Sequence, residues 1–204
     1  MNKYFSIRLF LLSVFLLITF GEKAFSKELE LQSQKIGNAN AKIKIKEYFS
    51  LTCSHCANFH IKTFPIIKEK LIDTNEIEFE FVDYPLDRLA MFGFAIVRSL
   101  PKESYFDATD LLLKKQKEWA FSKDPINELF KIAKRFGISK NKFDKILTNH
   151  KLMQKILDNM EEHSSKFDIQ STPTFIINNQ HKISGNLTFN EFKQKVYKLT
   201  EEKK

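Results

Sequence analysis

The stretch KIKIKEYFSLTCSHC, residues 42–56, contains the features that decide the fold of this 204-residue chain. Residues 42–49 alternate between charged and apolar side chains, a period that predicts a β-strand. A short loop follows, and a helix is predicted to begin near Cys53 and to run to about Asp73. The pair Cys53 and Cys56 is therefore expected where a strand passes into a helix.

Residues 1–26 have the composition of a cleaved secretory signal peptide. Lys3 and Arg8 form a basic start, Leu9–Phe20 is an uncharged and mostly apolar run, and small residues precede a predicted cut after Ser26. As a helix the run would rise only ~18 Å, less than the hydrocarbon core of about 30 Å. An uncleaved membrane tether is therefore the less favoured interpretation, and we expect an exported protein of the periplasm.

The whole chain has a formal net charge of +8, and 43% of its residues are apolar. The apolar fraction is enough for a hydrophobic core, which predicts a folded domain. Strongly basic chains can bind nucleic acid, but here the lysines are scattered among glutamates and asparagines. This pattern indicates a solvated surface, so no nucleic-acid partner is expected.

Cys53 and Cys56 are the two cysteines of the chain. Exported proteins that use cysteine for stability normally link distant segments, whereas this pair would close a very small loop. Residues three apart on a helix lie about 5–6 Å from each other, within reach of a disulfide. The pair is therefore predicted to cycle between dithiol and disulfide. Cys53 should be exposed and attack the substrate, and the more buried Cys56 should resolve the mixed disulfide.

Two residues near the cysteines in the sequence are candidates for assisting this exchange. The helix N-terminus favours a thiolate at Cys53, and a protonated His55 would favour it further. Glu47 lies on the strand face opposite the lysines, so it should point into the core, where a carboxyl group can deprotonate Cys56. The alternatives are a surface histidine without a role and a strand-end glutamate paired with a lysine.

Pro173 precedes a predicted strand and is compatible with a cis peptide bond or an ordinary loop.

A Cys-x-x-Cys pair can also be half of a zinc site. The chain has no further cysteine, and His55 and His60 are the nearest other ligands. Four ligands within one loop and helix would be strained, so no metal is expected.

The remaining pattern predicts the order β-α-β, a helical block, and β-β-α. Residues 27–41 are interpreted as a polar lead-in with turn character, and Pro65 should kink the first helix. A capping box at Thr188 and Glu191 should open the last helix. The other predicted elements are strands over 77–84, 174–177 and 181–184 and helices over 86–99, 103–119, 126–136, 142–147 and 152–167. Together they predict an α/β fold, one mixed sheet with an inserted all-helical subdomain.

These residues resemble the DsbA-like family of thiol:disulfide oxidoreductases, which have a thioredoxin fold with a helical insertion. Glu47 stands six positions before Cys53, as the acidic residue does in that family, and residues 37–42 are similar to its lead-in. The segment Ser171-Thr172-Pro173-Thr174-Phe175 is similar to its cis-proline loop. The resemblance implies that Pro173 is cis and packs beside the cysteines. It also implies that Thr172 touches the pair and helps to bind substrate backbone.

The resemblance implies an exported enzyme that introduces disulfides into folding exported proteins without a cofactor. A DsbB-like membrane oxidase would recycle it, and it would be a monomer. Ser54 replaces a proline common in the family, so a disulfide isomerase or reductase using the same pair stays open. A metal- or peptide-binding module is the non-enzyme alternative. The implied parts are a signal peptide (1–26), two thioredoxin-fold segments (27–85 and 164–204) and a helical insertion (86–163).

Overall fold

A five-stranded mixed β-sheet organises the structure, a computed structural model that describes residues 31–201. The strands lie in the order β1-β3-β2-β4-β5, with β2 and β3 parallel and all other neighbours antiparallel. Their bounds are β1 (Gln34–Gly37), β2 (Ile43–Phe49), β3 (Ile77–Asp83), β4 (Thr174–Ile177) and β5 (His181–Ser184). The predicted signal peptide, residues 1–26, lies outside the described residues.

Helices follow β2, fill the connection between β3 and β4, and end the chain. After β2 come α1 (Ser54–Lys62), α2 (Phe64–Ile67) and a π-helical turn (Lys68–Ile72). The connection contains α3 (Arg88–Arg98), α4 (Lys102–Lys114), α5 (Gln116–Trp119), α6 (Pro125–Arg135), α7 (Lys140–Leu147) and α8 (His150–Phe167), and the last helix is α9 (Phe189–Glu201). The predicted mixed sheet with a helical block is confirmed, and α8 continues through the boundary predicted at residue 163. Among the helices of residues 31–201, none is both long and apolar enough to cross a membrane.

The edge strand β1 lies in the segment predicted as a polar lead-in, so that prediction was wrong for residues 34–37. Its buried first position is a glutamine, Gln34, which gives no hydrophobic alternation. The strand forms because its backbone pairs with β3, with Gln34 opposite Phe81. Gly37 ends the strand at φ +94°, and a Cβ there would lie 2.4 Å from the carbonyl oxygen of Ile77, so this position requires glycine.

The predicted kink at Pro65 is confirmed, because α1 ends before Thr63 and Pro65 lies in the first turn of α2. Proline is tolerated there since its missing N–H would have no helical partner. Thr63 is buried, and its hydroxyl donates to the carbonyl oxygen of Leu187 at 2.7 Å. This hydrogen bond connects the end of α1 to the segment before α9.

Aromatic side chains fix α1 against the sheet. Phe59 of α1 packs on Phe175 of β4 with ring centroids 4.8 Å apart, and Phe192 of α9 lies 5.2 Å from Phe175. All three rings are fully buried. Burial of this apolar area is a main source of stability, and it holds the helix that carries Cys56 at a fixed position over β2 and β4.

A buried polar cluster connects β3 with the helical block. Arg98 Nε of α3 donates to Asp83 Oδ2 at 2.6 Å, and the Tyr105 hydroxyl of α4 donates to Asp83 Oδ1 at 2.8 Å. The guanidinium lies 4.9 Å from the centroid of the Tyr105 ring. Because a buried charge needs a partner, the cluster holds α3 and α4 in one arrangement relative to the sheet.

Candidate active site

The two cysteines lie where β2 passes into α1. Cys53 is the N-cap residue, with extended backbone angles (φ −79°, ψ 118°), and the helix begins at Ser54. Cys53 is half-buried, whereas Cys56 is fully buried one turn later, and both are free thiols. The predicted difference in exposure is present, so only Cys53 can meet a protein substrate directly.

The surroundings of Cys53 favour its thiolate. Several effects together lower the pKa of Cys53 from 9.0 to about 5, and the largest of them is a hydrogen bond from the Cys56 thiol. Partial burial opposes this lowering, whereas the Thr172 hydroxyl and the backbone N–H groups of Cys56 and His55 contribute to it. At neutral pH Cys53 is therefore predominantly a thiolate, the form that attacks disulfides.

The surroundings of Cys56 have the opposite effect. Burial raises the pKa of the Cys56 thiol well above its ordinary value, and a hydrogen bond and the charge of Cys53 raise it further. The charge of Glu47 acts in the same direction, whereas a backbone hydrogen bond at Ser50 lowers this pKa. Cys53 is thus ionised and nucleophilic near neutral pH, whereas Cys56 stays protonated.

The peptide bond between Thr172 and Pro173 is cis, and its loop lies against Cys53. The Cys53 thiol donates to the carbonyl oxygen of Thr172 across 3.3 Å, although 119 residues separate the two in sequence. The Thr172 hydroxyl oxygen is buried without a hydrogen-bond partner in the described structure. This hydroxyl is therefore free to donate to a thiolate at Cys53, in agreement with its lowering of that pKa.

Glu47 points into the core, as the strand pattern predicts, and it is fully buried. The partner of its carboxylate is His60, not a lysine: His60 Nε2 lies 2.9 Å from Oε2 and 3.1 Å from Oε1 of Glu47. The sequence analysis identifies His60 only as a possible zinc ligand and does not predict its contact with Glu47. Its position four residues after Cys56 on one helix was the signal that could have found it, because such residues share a face.

Side chains of the types that bind metal do not converge in the described part of the chain. Within residues 31–201 there is no group of three or more His, Cys, Asp or Glu residues able to hold a metal ion.

His55 is exposed, and its backbone N–H rather than its ring acts on the Cys53 pKa. The predicted role of the His55 imidazole stays a prediction.

A glutamine from the helical block holds the loop before α1. Gln116 of α5 is buried, and its Nε2 donates to the carbonyl oxygens of Leu51 at 2.8 Å and Cys53 at 3.0 Å. The Thr52 hydroxyl donates to Asp87 Oδ2, at the N-terminus of α3, at 2.7 Å. The helical block thus positions the backbone of Cys53, a role that no local pattern in the sequence indicates.

The chain is similar to known proteins over most of its length. A family model described as Thioredoxin matches residues 30–198. Proteins of Rickettsia bellii and Rickettsia conorii, which carry the provisional name protein-disulfide oxidoreductase, are each 28% identical over 170 residues. These alignments cover 83% of this chain and 65% and 61% of the two relatives. The chain therefore spans about three-fifths of the length of these curated relatives.

Solved structures share the fold over most of their length. Alpha-DsbA1 of Wolbachia pipientis superposes with a TM-score of 0.74 and 27% identity, covering 82% of this chain and 90% of that one. DsbA of Chlamydia trachomatis superposes with a TM-score of 0.69 and 20% identity, covering 83% of this chain and 92% of that one. The predicted thioredoxin-like sheet with a helical insertion is therefore confirmed.

Proposed function

Because this chain belongs to the thioredoxin family, in its DsbA-like form, we propose that it is an exported thiol–disulfide oxidoreductase. In this proposal it introduces disulfides into exported proteins as they fold. The observation that carries the proposal is the asymmetry of the cysteine pair. Cys53 is accessible with a pKa lowered to about 5, and Cys56 is buried with a raised pKa. A pair kept for stability has no need of this difference, whereas thiol–disulfide exchange depends on it.

The proposed reaction begins with a disulfide between Cys53 and Cys56. A client thiolate attacks the sulfur of Cys53, the bond between the two cysteines breaks, and Cys56 leaves as a thiolate that takes up a proton. A second client thiolate then attacks the client sulfur of the mixed disulfide and releases Cys53 as a thiolate. The client gains a disulfide and the cysteine pair gains two electrons, so the exchange requires no bound cofactor.

The low pKa of Cys53 supports the oxidising direction. A thiol with a low pKa is a good leaving group, which speeds the second step. A stabilised thiolate also stabilises the reduced pair relative to the disulfide, so the disulfide is readily given away. We place the client segment beside Thr172 and Pro173, since the Thr172 carbonyl oxygen lies 3.3 Å from the Cys53 sulfur that the client attacks.

The cellular setting belongs to the same proposal. Residues 1–26 would direct export to the periplasm, and the chain would act there as a monomer on folding exported proteins. A DsbB-like membrane oxidase would take the two electrons from the reduced pair and restore the disulfide. The names of the Rickettsia relatives support the disulfide chemistry of this setting.

Equilibration of the purified protein with mixtures of reduced and oxidised glutathione tests the direction of electron flow between the cysteine pair and its clients. We expect the reduction potential of the Cys53–Cys56 pair to be well above that of thioredoxin and closer to the value of about −120 mV typical of DsbA. A potential near the thioredoxin value of about −270 mV would contradict the oxidase function and favour a reductase.

A Cys56→Ala variant tests whether the protein is an exchange enzyme at all. Without Cys56 the mixed disulfide at Cys53 cannot be resolved from within the protein, so covalent complexes with client proteins should accumulate. The Cys53→Ala variant is the matched control and should form none at that position. A metal- or peptide-binding module would yield no such complexes in either variant.

A further inference from the structure

Residues 131–155 carry almost all of the excess positive charge of the chain. They contain seven lysines and one arginine but only one acidic residue, Asp144, which gives a net charge of +7 in a chain whose total is +8. The nearest acidic residues on either side are Glu128 and Asp158. Lysines elsewhere are scattered among acidic residues, so residues 131–155, which we call the basic segment, differ from the rest of the surface.

Three consecutive helices hold this charge in a small part of the structure. The basic segment comprises the end of α6, all of α7 and the start of α8, joined by connections of four and two residues. The rings of Phe130 in α6 and Phe143 in α7 pack 5.1 Å apart, and the Lys140 ammonium lies 5.8 Å from both ring centroids. Seven of the eight basic side chains are exposed, and Lys155 is half-buried. Since α7 is only about 12 Å long, close to the Debye length of about 8–10 Å, the charges act together.

Few of these charges are neutralised by a neighbouring carboxylate. Lys131 pairs with Glu128 at 2.7 Å, and Lys140 pairs with Asp144. Five other basic side chains of the segment form no ion pair with a carboxylate of residues 31–201, and these are Lys134, Arg135, Lys142, Lys145 and Lys151. The segment therefore presents a positive potential to the solvent.

Helix dipoles account for only part of this arrangement. A cation near a helix C-terminus is favourable, and Lys134, Arg135 and Lys145 lie in the last turns of α6 and α7. Lys142 and Lys151 instead lie in the first turns of α7 and α8, which contain no acidic residue, and there the dipole disfavours a cation. Placement against this local preference indicates a use other than helix stability.

We propose that the basic segment is a docking surface for an anionic phospholipid bilayer, held by attraction between its lysines and the lipid headgroups. The purpose of this docking rests on the proposed function, since it would bring the reduced enzyme to the membrane oxidase that restores its disulfide. The binding itself requires neither cysteine.

The chemistry of the segment favours a lipid surface over a protein or a nucleic acid. Seven of its eight cations are lysines, which act as point charges, whereas the planar group of arginine suits recognition of a single phosphate or carboxylate. A specific protein interface has an apolar core. The exposed large apolar side chains of residues 31–201 all lie outside the segment, namely Ile61, Leu86, Phe121 and Ile126. Phe136 is half-buried and Phe143 is buried, so the segment offers no aromatic platform for unpaired bases.

The basic segment begins one helix away from the active-site loop. Lys131 and Arg135 of α6 line a cavity of about 180 Å³ against Glu118 of α5. Gln116 of the same α5 donates to the carbonyl oxygen of Cys53 at 3.0 Å. Docking through the segment would therefore keep the Cys53 loop close to the membrane, where the oxidase acts.

Sedimentation of the protein with lipid vesicles tests the docking. The protein used lacks the predicted signal peptide, residues 1–26, because an apolar leader binds lipid by itself, and it keeps the whole described fold. We expect binding to vesicles of phosphatidylglycerol and phosphatidylcholine but not to phosphatidylcholine alone. The binding should be lost in about 1 M NaCl, where the Debye length falls to about 3 Å. Equal binding to the two kinds of vesicle, or binding that persists at this salt concentration, would overturn the proposal.

The double variant Lys142→Gln, Lys151→Gln tests whether the segment is the surface that docks. Each lysine near an anionic surface contributes about fivefold in affinity, so this variant should bind the anionic vesicles about 10- to 30-fold more weakly. Its Tm should not fall, because glutamine forms helices about as well as lysine and both cations leave unfavourable first turns. The matched control, Lys195→Gln, Lys198→Gln in α9, removes the same charge from exposed positions outside the segment. Equal weakening in the two double variants would show that net charge, not the segment, causes the binding.

Two further measurements separate the kind of partner from the enzyme function. Tighter binding to polyglutamate or to a single-stranded oligonucleotide than to the vesicles, at equal concentrations of negative charge, would contradict the choice of a lipid surface. Both double variants should keep the reduction potential of the parent protein, measured against glutathione. A thioredoxin-like potential in a parent protein that binds the vesicles would count against the proposed function and support the docking alone.

Discussion

The acidity of Cys53 depends mainly on one neighbouring sulfur. The hydrogen bond from Cys56 is the largest contribution that lowers the Cys53 pKa to about 5. In a Cys56→Ala variant we expect this pKa to rise toward its ordinary value of 9.0, because the remaining donors are weaker. The pH dependence of alkylation of Cys53 by iodoacetamide measures it. A variant pKa that stays at about 5 would show that the loop and helix N-terminus, not Cys56, stabilise the thiolate.

The thiolate also makes the stability of the reduced protein depend on pH. The Cys53 pKa is about 5 in the folded chain and near 9.0 in the unfolded chain, so the unfolded state binds more protons between these values. The stabilisation is therefore present at high pH and is lost as pH falls through about 5. Below about pH 8 the raised Cys56 pKa adds little slope, since that thiol is then largely protonated in both states.

We therefore expect the Tm of the reduced protein, relative to that of the oxidised protein, to rise as pH increases from 5 to 8. The oxidised protein lacks the titrating thiol, so the difference isolates Cys53. Calorimetry of both forms across this range measures the effect, and the Tm of the Cys53→Ala variant, which forms no disulfide, should not rise relative to that of the oxidised parent protein. Parallel curves for the two redox forms of the parent protein would contradict the low pKa.

The sequence predicts to which face a side chain points better than it predicts which side chain it contacts. The alternation of β2 is enough to place Glu47 inward, because a strand has only two faces. Its partner is not specified by β2, since His60 reaches it from another element. The contact between Thr172 and Cys53, which are 119 positions apart, is expected from the family resemblance and not from any local pattern.

At the scale of elements, locally determined features were predicted and non-local ones were not. Thr188 and Glu191 form the predicted capping box, in which the Thr188 N–H donates to Glu191 Oε2 and the Glu191 N–H donates to the Thr188 hydroxyl oxygen. These contacts lie within four residues, so the sequence contains both partners in one window. The strand β1 could not be found in this way, because only its pairing with β3 defines it.

The attachment of the active-site loop to α5 is a contact between elements that local patterns leave undetected. Gln116→Ala would leave the buried Leu51 carbonyl oxygen without its side-chain donor, whereas the Cys53 carbonyl oxygen would keep the hydrogen bond from the Ala57 N–H at 3.1 Å. Since unpaired buried polar groups are costly, we expect the free energy of unfolding to fall by about 1–3 kcal/mol, measured by urea denaturation. The matched control is Gln154→Ala, which removes an exposed hydrogen bond within α8 and should cost less than about 0.5 kcal/mol. Equal losses in the two variants would disprove the role of Gln116.

At the scale of the whole molecule, the order of elements predicts the architecture but not what joins the helical block to the sheet. A β-α-β unit, a helical block and a hairpin with a helix leave few ways to build one mixed sheet. The joint between the two parts is the cluster of Asp83, Arg98 and Tyr105, which come from three different elements. Tertiary packing alone brings these three residues together, so the local sequence pattern of each element does not indicate the cluster.

This cluster should make the sheet and the helical block unfold as one unit. The side chains of Arg98 and Asp83 are 5% and 0% exposed, so Arg98→Met would leave a buried carboxylate without its cation. We expect a loss of about 3–5 kcal/mol in a single denaturant transition followed by circular dichroism. Arg135→Met, at the exposed end of α6, should change stability by less than about 0.5 kcal/mol. A small loss in Arg98→Met, or separate transitions for the two parts in the parent protein, would show that the cluster does not couple them.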